Sequence, residues 1–328
     1  MDFRTTFKIP PSPDKITYND PAMFIGSCFA TSIGKQFETG HLPVMINPAG
    51  TVYNPVSVIN TLQTITSGKI YKKEDLCHYN GLWFSFDHYT DFSSENAEKV
   101  ISNINNRNEM AGKFLSCAHY LFITFGTARV FRWNKTGKIV SNCHKIAAAE
   151  FTHELLSVNE IVTLWNDQLD RLHSLYPALK VVFTVSPVRH WKDGAHGNQV
   201  SKSVLFLAIE ELLDHPSCPV YFPAYELLMD DLRDYRFYDD DLLHPSAAAV
   251  NYIWDAFSEC WLDKKTSDLW KEINKITKAF SHRINNDTGR GLKTFAGKMI
   301  SAIDNINAKQ PGLNLDTERS YFLGLLKV

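Results

Sequence analysis

The stretch Ala22-Met23-Phe24-Ile25-Gly26-Ser27-Cys28-Phe29-Ala30 indicates the fold of this chain more directly than any other. Its apolar run stops at a Gly-Ser step, and apolar residues then recur at helical spacing at Phe29, Ile33 and Phe37. This pattern predicts a buried strand, a tight turn and a helix. Ligands of open α/β sheets bind beyond the carboxyl ends of the strands, and a helix N-terminus stabilises negative charge. Both rules point to the serine of this stretch.

Ser27 has two interpretations at this position. As a nucleophile, it would have its own backbone N–H available to stabilise an oxyanion. As a structural residue, it would cap the helix, where serine is a favoured residue. Cys28 is a third candidate, because a helix N-terminus lowers the pKa of a thiol and so favours the reactive thiolate.

A second segment, Asp239-Asp240-Asp241-Leu242-Leu243-His244-Pro245-Ser246, carries the partners that a nucleophilic serine needs. Pro245 and Ser246 are typical of a helix start, so Asp241 and His244 are predicted to lie in the loop before that helix. A serine hydroxyl needs a neighbouring base, and the base needs a carboxylate that orients it. The structural alternative is a surface charge next to a loop histidine.

The rest of the chain alternates between predicted strands and helices. We predict strands at 120–125, 180–185 and 220–222, helices at 56–66, 94–118, 157–172 and 201–213, a β-rich insertion near 67–92 and a hairpin across 130–140. This alternation favours a mostly parallel sheet with helices on both faces. Amphipathic helices follow, so we predict a main domain over 1–263 and a helical extension over 264–328, which could carry a homodimer interface.

Several strings of the chain together resemble one known family. Gly26-Ser27-Cys28-Phe29-Ala30 matches the signature of the GSCFA family, which is related to the SGNH, or GDSL, hydrolases. Similar strings follow in order at 47–55, 142–145 and 186–190, and then at the Asp-x-x-His pair. The resemblance implies an SGNH-hydrolase-like, three-layer α/β/α sandwich with a mostly parallel sheet. It also implies an ester or acyl-ester substrate and a catalytic triad of Ser27, Asp241 and His244.

The oxyanion hole is the place where the chain departs from the SGNH pattern. That superfamily uses a Gly-x-Asn step, and here Ala128 stands where the asparagine would fall. We predict that the backbone N–H groups of Ser27 and Gly50, with the turn formed by Gly126 and Thr127, bind the oxyanion.

Further polar residues are predicted to bind the substrate. The side-chain amides of Asn47 and Asn54 could replace the missing donor, although both stand beside prolines and could instead serve turns. Arg189 and His190 follow the strand at 180–185, whose carboxyl end should reach the active-site crevice. Arg189 suits a carboxylate or phosphate through a bidentate contact, and His190 could bind sugar hydroxyls.

Two more histidines, His88 and His144, are candidates of the same kind. Alternatively, Asp87, His88 and Asp91 could bind a metal ion. The chain has no His-Glu-x-x-His or comparable spacing, so we expect no metal and no cofactor.

The composition is that of an ordinary globular enzyme. The chain has 328 residues, of which 44% are hydrophobic and 21% charged, and its net charge of −2 gives no drive toward nucleic acid or membranes. No run approaches the ~18 apolar residues of a membrane-spanning helix, and the first residues lack the apolar core of a signal peptide. We therefore expect a cytoplasmic protein. Its six cysteines are scattered, which argues against a disulfide framework.

These observations predict a serine esterase of SGNH type. Trp83, Trp133 and Trp191 offer flat faces on which a sugar ring can stack, so the expected substrate is an O-acylated, for example O-acetylated, carbohydrate. Two alternatives stay open. An acyltransferase on the same scaffold would pass the acyl group to an alcohol, and a non-catalytic carbohydrate-binding protein could retain the fold and the triad residues.

Overall fold

A computed structural model describes residues 4–281 and 290–327 of the chain. The strands among these residues are β1 (Ala22–Gly26), β2 (Val44–Ile46), β3 (Cys77–Tyr79), β4 (Leu82–Phe84), β5 (Tyr120–Phe125), β6 (Arg129–Trp133), β7 (Ile139–Val140), β8 (Phe151–Leu155), β9 (Lys180–Val185) and β10 (Val220–Tyr221).

The described residues also form ten α-helices. They are α1 (Cys28–Thr39), α2 (Pro55–Ser67), α3 (Ala97–Cys117), α4 (Val158–Leu175), α5 (Gly194–Leu212), α6 (Ala224–Glu226, continuing as a π-helical segment over Leu227–Leu232), α7 (Ala247–Trp261), α8 (Lys264–Ser281), α9 (Arg290–Lys309) and α10 (Asp316–Leu325). Among the described residues, no helix is long and apolar enough to cross a membrane.

The central sheet has five strands in the order β10-β9-β5-β1-β2, and every pairing in it is parallel. This confirms the predicted α/β class with its parallel sheet. From β1 the chain runs first to β2 on one side and then crosses to β5 on the other. The carboxyl ends of β1 and β5 therefore form a topological switch point, the place where ligands of open sheets bind.

Side-chain alternation along β1 decides which helices cover each face of the sheet. Met23 and Ile25 point into a core that includes buried residues of α2, α3, α4 and α5. Phe24 points the other way and stacks on Phe122 with 4.6 Å between ring centroids, and both rings contact Phe257 of α7. Helices thus cover both faces, which gives the three layers expected.

Two small antiparallel sheets accompany the central one. β3 and β4 form a hairpin within the segment 67–92, and β6 pairs with β7 across the predicted hairpin. β8 adds a third strand beside β6 that the sequence did not predict. Only its first residue is buried, and its pairing includes an ion pair between Arg132 and Glu154 at 3.0 Å. Cross-strand contacts of this kind, rather than local periodicity, define the strand.

The helix α5 begins at Gly194, earlier than the predicted start at residue 201. Glycine and asparagine are poor helix formers, so the local sequence Gly-Ala-His-Gly-Asn gives little signal. Asn198 Oδ1 accepts the His190 backbone N–H at 2.9 Å. This tertiary contact ties the first turns of α5 to the loop after β9.

The chain divides into two compact units. One comprises residues 1–10, 20–34 and 44–257, and the other comprises 11–19, 35–43 and 258–328. The predicted extension 264–328 thus shares its unit with 258–263 and with two earlier segments. In this second unit, α8, α9 and α10 bury a core of their own around Ile273, Ile303 and Phe322. A homodimer through these helices stays a prediction.

Replacing Gly26 with alanine should strongly destabilise the protein. Gly26 has a φ of +145°, and an added Cβ would lie 2.2 Å from the carbonyl oxygen of Thr124. We expect the free energy of unfolding to fall by more than about 3 kcal/mol, measured by urea denaturation. Gly81→Ala is the matched control, because its φ is +78° and nothing lies within 4 Å of an added Cβ. That variant should lose only about 1–2 kcal/mol, and equal losses would contradict a steric role for Thr124.

Candidate active site

Backbone contacts hold Ser27 in the turn between β1 and α1. The Ser27 N–H donates to the Thr124 carbonyl at 3.1 Å, and the Gly26 N–H donates to Asn47 Oδ1 at 2.8 Å. Ser27 Oγ accepts the Phe29 N–H at 3.3 Å, so the hydroxyl caps α1 as the structural interpretation expects. The residue is buried, with 1% of its surface exposed. Ser27 therefore lies at the switch point of the sheet in a fixed position.

The loop before α7 presents an aspartate–histidine pair. Asp241 Oδ2 lies 2.5 Å from His244 Nδ1, and Asp241 Oδ1 accepts the backbone N–H groups of Leu243 and His244, both at 2.9 Å. These hydrogen bonds, with the largest contributions from His244, lower the pKa of Asp241 to about 2. The carboxylate is therefore charged at neutral pH. Because Nδ1 is engaged, Nε2 is the nitrogen that His244 offers for proton transfer.

Short backbone bonds across the same loop fix the pair. The Asp239 N–H donates to the His244 carbonyl, and the Ser246 N–H donates to the Phe237 carbonyl, both at 2.8 Å. Leu242 adopts a φ of +58°, which lets the chain reverse between the two. The side chains of His244 and Asp241 are 48% and 47% exposed, so water and ligands reach them.

The electrostatics of Cys28 connect the two parts of the candidate site. Burial raises the pKa of its thiol, the Lys202 cation opposes this rise, and the charge of Asp241 adds to it. Asp241 thus lies within electrostatic range of the residue that follows Ser27. No hydrogen bond joins Ser27 to His244 among the described residues, so the complete triad stays a prediction. The raised thiol pKa disfavours the thiolate that a cysteine nucleophile needs.

The backbone groups predicted to bind an oxyanion already have acceptors. Besides the serine N–H, the Gly50 N–H donates to the Asn47 carbonyl at 2.8 Å. The N–H groups of Gly126 and Thr127 both donate to the Tyr53 carbonyl, at 2.7 and 3.0 Å. An oxyanion that used these donors would have to displace backbone hydrogen bonds, which is the main departure of this structure from the predicted site.

The side chains of Asn47 and Asn54 form hydrogen bonds within the fold. The Asn47 side chain accepts from Gly26 and donates to Thr31 Oγ1 at 2.8 Å, which links the turn after β2 to α1. Asn54 Oδ1 accepts the Ser57 N–H at 2.8 Å and caps α2. Both asparagines are buried, so the turn alternative describes them.

A cleft of about 540 Å³ opens beside the Asp–His pair, a size that suits a small-molecule site. Arg189, Trp191, Tyr235, Tyr238 and Asp241 are among the residues that line it. Two residues predicted from the sequence, the arginine and the tryptophan, therefore lie with the aspartate of the candidate site.

His88 and His144 do not line this cleft, and substrate binding by them stays a prediction. They are 1% and 8% exposed. His144 Nε2 lies 2.9 Å from the Ser85 carbonyl oxygen and its ring stacks on Phe84, and burial lowers the pKa of His88 to about 4. His88 is a buried residue that follows β4, and His144 is a buried residue of the loop after β7. Asp87 accepts the Tyr71 hydroxyl at 2.9 Å.

No metal cluster is found in the part of the chain that the structure describes, where no three His, Cys, Asp or Glu side chains are placed to hold an ion. The alternative metal site at Asp87, His88 and Asp91 thus has no counterpart among these residues.

Two of the three tryptophans expected at the site lie elsewhere. Trp133 lines a separate cleft of about 840 Å³, together with Lys138 and Arg171. Trp83 packs beside His78 with 4.7 Å between ring centroids. Neither Ser27 nor the Asp–His pair lines that larger cleft, because α2, β3 and the β6–β7 hairpin form its walls.

Sequence reasoning missed two residues near the serine. The half-buried Tyr53 faces His190 edge-on, with 6.5 Å between ring centroids. Burial is the main cause of the raised pKa of the Tyr53 hydroxyl, and the charge of Cys28 makes a smaller contribution. Its position inside the string 47–55 was the available signal. Burial also lowers the pKa of His190, which Asp193 opposes.

The second missed residue is Lys202, a fully buried lysine on α5. Its Nζ donates to the Ser186 carbonyl oxygen at 2.6 Å, at the point where β9 ends. Burial, with a smaller contribution from Arg189, lowers the pKa of Lys202 to about 7. A lysine near the polar start of a helix gives no sequence signal that distinguishes it from a surface residue.

Comparison with known proteins assigns the family. The model of the GSCFA family matches residues 21–257. This match covers more than half of the chain, and the protein belongs to the GSCFA family. A search of curated proteins gives no match.

Two solved structures are similar to this chain at low identity. One is described as "a putative platelet activating factor from Streptococcus pneumonia", with 13% identity, a TM-score of 0.36, and coverage of 73% of this chain and 83% of that one. The other is a carbohydrate esterase family 3 from Talaromyces cellulolyticus, with 9% identity, a TM-score of 0.35, and coverage of 77% of this chain and 99% of that one. Scores of this size carry no argument about activity.

Lys202 should make stability depend on pH. Its folded pKa of about 7 lies below the ordinary value of 10.5, so between these two values the unfolded chain binds a proton that the folded protein does not. The free energy of unfolding should therefore rise with pH in this window, by up to about 1.4 kcal/mol per pH unit. Urea denaturation at roughly pH 7.5, 8.5 and 9.5, values inside this window, measures the slope.

Lys202→Met should remove that contribution to the slope, whereas Lys99→Met, at an exposed lysine of α3, should retain it. If stability depends on pH equally in the Lys202 variant and the unmodified protein, burial does not lower the pKa of this amine.

Proposed function

We propose that this protein is a serine esterase that removes an O-acyl group from a carbohydrate. The observation that carries the proposal is the Asp241–His244 pair, with its 2.5 Å bond, at the edge of a cleft of about 540 Å³. Membership of the GSCFA family, over the residues that include Ser27 and this pair, supports it. The position of Ser27 at the switch point of a parallel sheet supports it further.

The proposed mechanism assigns one role to each residue. Ser27 Oγ attacks the acyl carbon while His244 Nε2 takes the hydroxyl proton, and the imidazolium then protonates the leaving alkoxide. Water attacks the resulting acyl-serine with His244 again as the base. Asp241, charged at neutral pH, holds the imidazole orientation and stabilises its cation.

The tetrahedral intermediate needs donors for its oxyanion. The amino end of α1 and the Ser27 N–H supply them if the bond from Ser27 to Thr124 opens when substrate binds. Hydrogen bonds of active sites often reach their working geometry only in the complex with substrate.

Hydrolysis is favoured over acyl transfer by the exposure of the base. The side chains of His244 and Asp241 are about half exposed, so water can reach the acyl-serine. A transferase has to exclude water from the intermediate.

A non-catalytic carbohydrate-binding protein is the second candidate. It is favoured by the occupied N–H groups of Gly50, Gly126 and Thr127 and by the lack of a hydrogen bond from Ser27 to His244 among the described residues. This candidate predicts a ligand without turnover.

A fluorophosphonate probe should label Ser27, because it reacts only with an activated serine. Labelling of the full chain, mapped by peptide mass spectrometry, should disappear in Ser27→Ala and fall by at least about 10³-fold in His244→Ala. The matched control is His119→Ala, since His119 forms a similar 2.5 Å bond with Asp20 at another surface position.

The two candidates give different results in this experiment. Labelling at Ser27 that survives in His119→Ala and is lost in His244→Ala supports the esterase. An unlabelled Ser27 in a folded protein overturns the esterase and leaves the binding protein.

The thiol next to the serine should be dispensable. Cys28→Ala should keep turnover of p-nitrophenyl acetate within about 3-fold of the unmodified protein, because burial raises the thiol pKa and leaves little thiolate. Loss of all turnover in Cys28→Ala, with Ser27→Ala active, would assign the nucleophile to the cysteine instead.

A further inference from the structure

Arg189 differs from the other charged residues that line the cleft beside Asp241. Each of the others forms an ion pair within the protein: Arg233 with Asp230 at 3.3 Å, Asp234 with Arg236 at 3.6 Å, and Asp241 with His244 at 2.5 Å. Among the described residues, no carboxylate lies within ion-pair distance of Arg189.

The ionisable groups whose pKa values Arg189 affects are two tyrosines and a lysine. Its guanidinium lies close enough to the hydroxyls of Tyr225 and Tyr238 to oppose the rise in pKa that burial causes in both. On its other side, it contributes to the lowered pKa of the buried Lys202. An anion bound at Arg189 would also reduce the repulsion between its guanidinium and the charged form of Lys202.

One nitrogen of Arg189 also has no acceptor. Its Nε is buried and forms no hydrogen bond in the part of the chain that the structure describes. A buried N–H without an acceptor is costly, and the fork of a guanidinium fits a carboxylate or phosphate with two parallel bonds. A carboxylate or phosphate would satisfy both the N–H without an acceptor and the unpaired positive charge.

The same cleft offers surfaces for a sugar ring. Trp191 and Tyr235 are 49% and 75% exposed, and both line it together with Tyr238. Exposed aromatic faces of this kind stack on the apolar faces of sugars. The cleft therefore combines aromatic faces and Asp241 with an arginine that has no carboxylate partner among the described residues.

We propose that the substrate is an acylated sugar that carries an anionic group, a carboxylate or a phosphate, which binds Arg189 while the ester lies beside His244. The position of the ester rests on the proposed esterase function, whereas the anion site stands on the surroundings of Arg189 alone. Asp241 does not compete for the ligand, because its charge is satisfied by His244 and two backbone N–H groups.

Calorimetric titration of the full chain carrying Ser27→Ala tests the anion site without turnover. The ligands are methyl glucuronide, glucose 6-phosphate and, as the neutral reference, methyl glucoside. At least one of the two anions should bind about 10–100-fold more tightly than the glucoside, as for other charge-assisted bonds. The tighter of the two shows whether a carboxylate or a phosphate is recognised.

Two arginine variants locate the anion site. Arg189→Met should abolish the preference for the anion, and Arg189→Lys should reduce it, because lysine keeps the charge but lacks the bidentate fork. Arg233→Met is the matched control, since Arg233 lines the same cleft but is already paired with Asp230, and it should bind as before. Melting curves of all variants confirm that they fold.

The outcomes separate this inference from the proposed function. If the chain carrying only Ser27→Ala binds all three ligands equally, the anion site is overturned. This result needs no arginine variant, so it holds even if Arg189→Met folds poorly. A preference that survives in Arg189→Met also overturns it. Anion binding that depends on Arg189, with no labelling of Ser27, supports the anion site and overturns the esterase.

Discussion

Two backbones approach each other closely where β1 ends beside β5. Gly26 has no Cβ and a φ of +145°, so its Cα can lie against the carbonyl of Thr124. Its N–H is held by Asn47 after β2, and its own carbonyl accepts from Val52. The ends of β1, β2 and β5 thus meet at one residue. The position of Ser27, the burial of its hydroxyl and the direction of α1 all depend on this contact.

The serine and the histidine of the candidate site are held in different ways. Ser27 is fixed by neighbouring strands and is almost fully buried. Asp241 and His244 are fixed by hydrogen bonds within their own loop and are half exposed. A local loop can place its carboxylate on its imidazole accurately, because the two are three residues apart. The distance between this pair and the serine depends on packing between elements far apart in sequence.

The positive charges near the site, rather than the net charge of the chain, support the proposed preference for negative ligands. The whole chain carries a net charge of −2, which says nothing about a cleft. Burial weakens the charge of Lys202 by lowering its pKa to about 7, whereas a guanidinium stays charged. Among the described residues, Arg189 is therefore a charged arginine of the cleft without a carboxylate partner. Burial has the opposite effect on an acid, and it raises the pKa of the Cys28 thiol. The hydroxyl of Ser27 is therefore the stronger candidate for the nucleophile.

The sequence alone determined the elements whose signals are local. The apolar run at β5, the β-branched run at β9 and the Gly-Ser step after β1 each follow from periodicity and turn chemistry, and the spacing of Asp241 and His244 placed that pair in one loop. It did not determine β8, the start of α5, or the role of His88 and His144, since neighbours distant in sequence decide whether such residues are paired or buried. The tertiary structure alone showed that Lys202 is buried and that Arg189 has no carboxylate partner among the described residues. Burial and ion pairing depend on which side chains meet in space, and spacing along the chain carries no record of that.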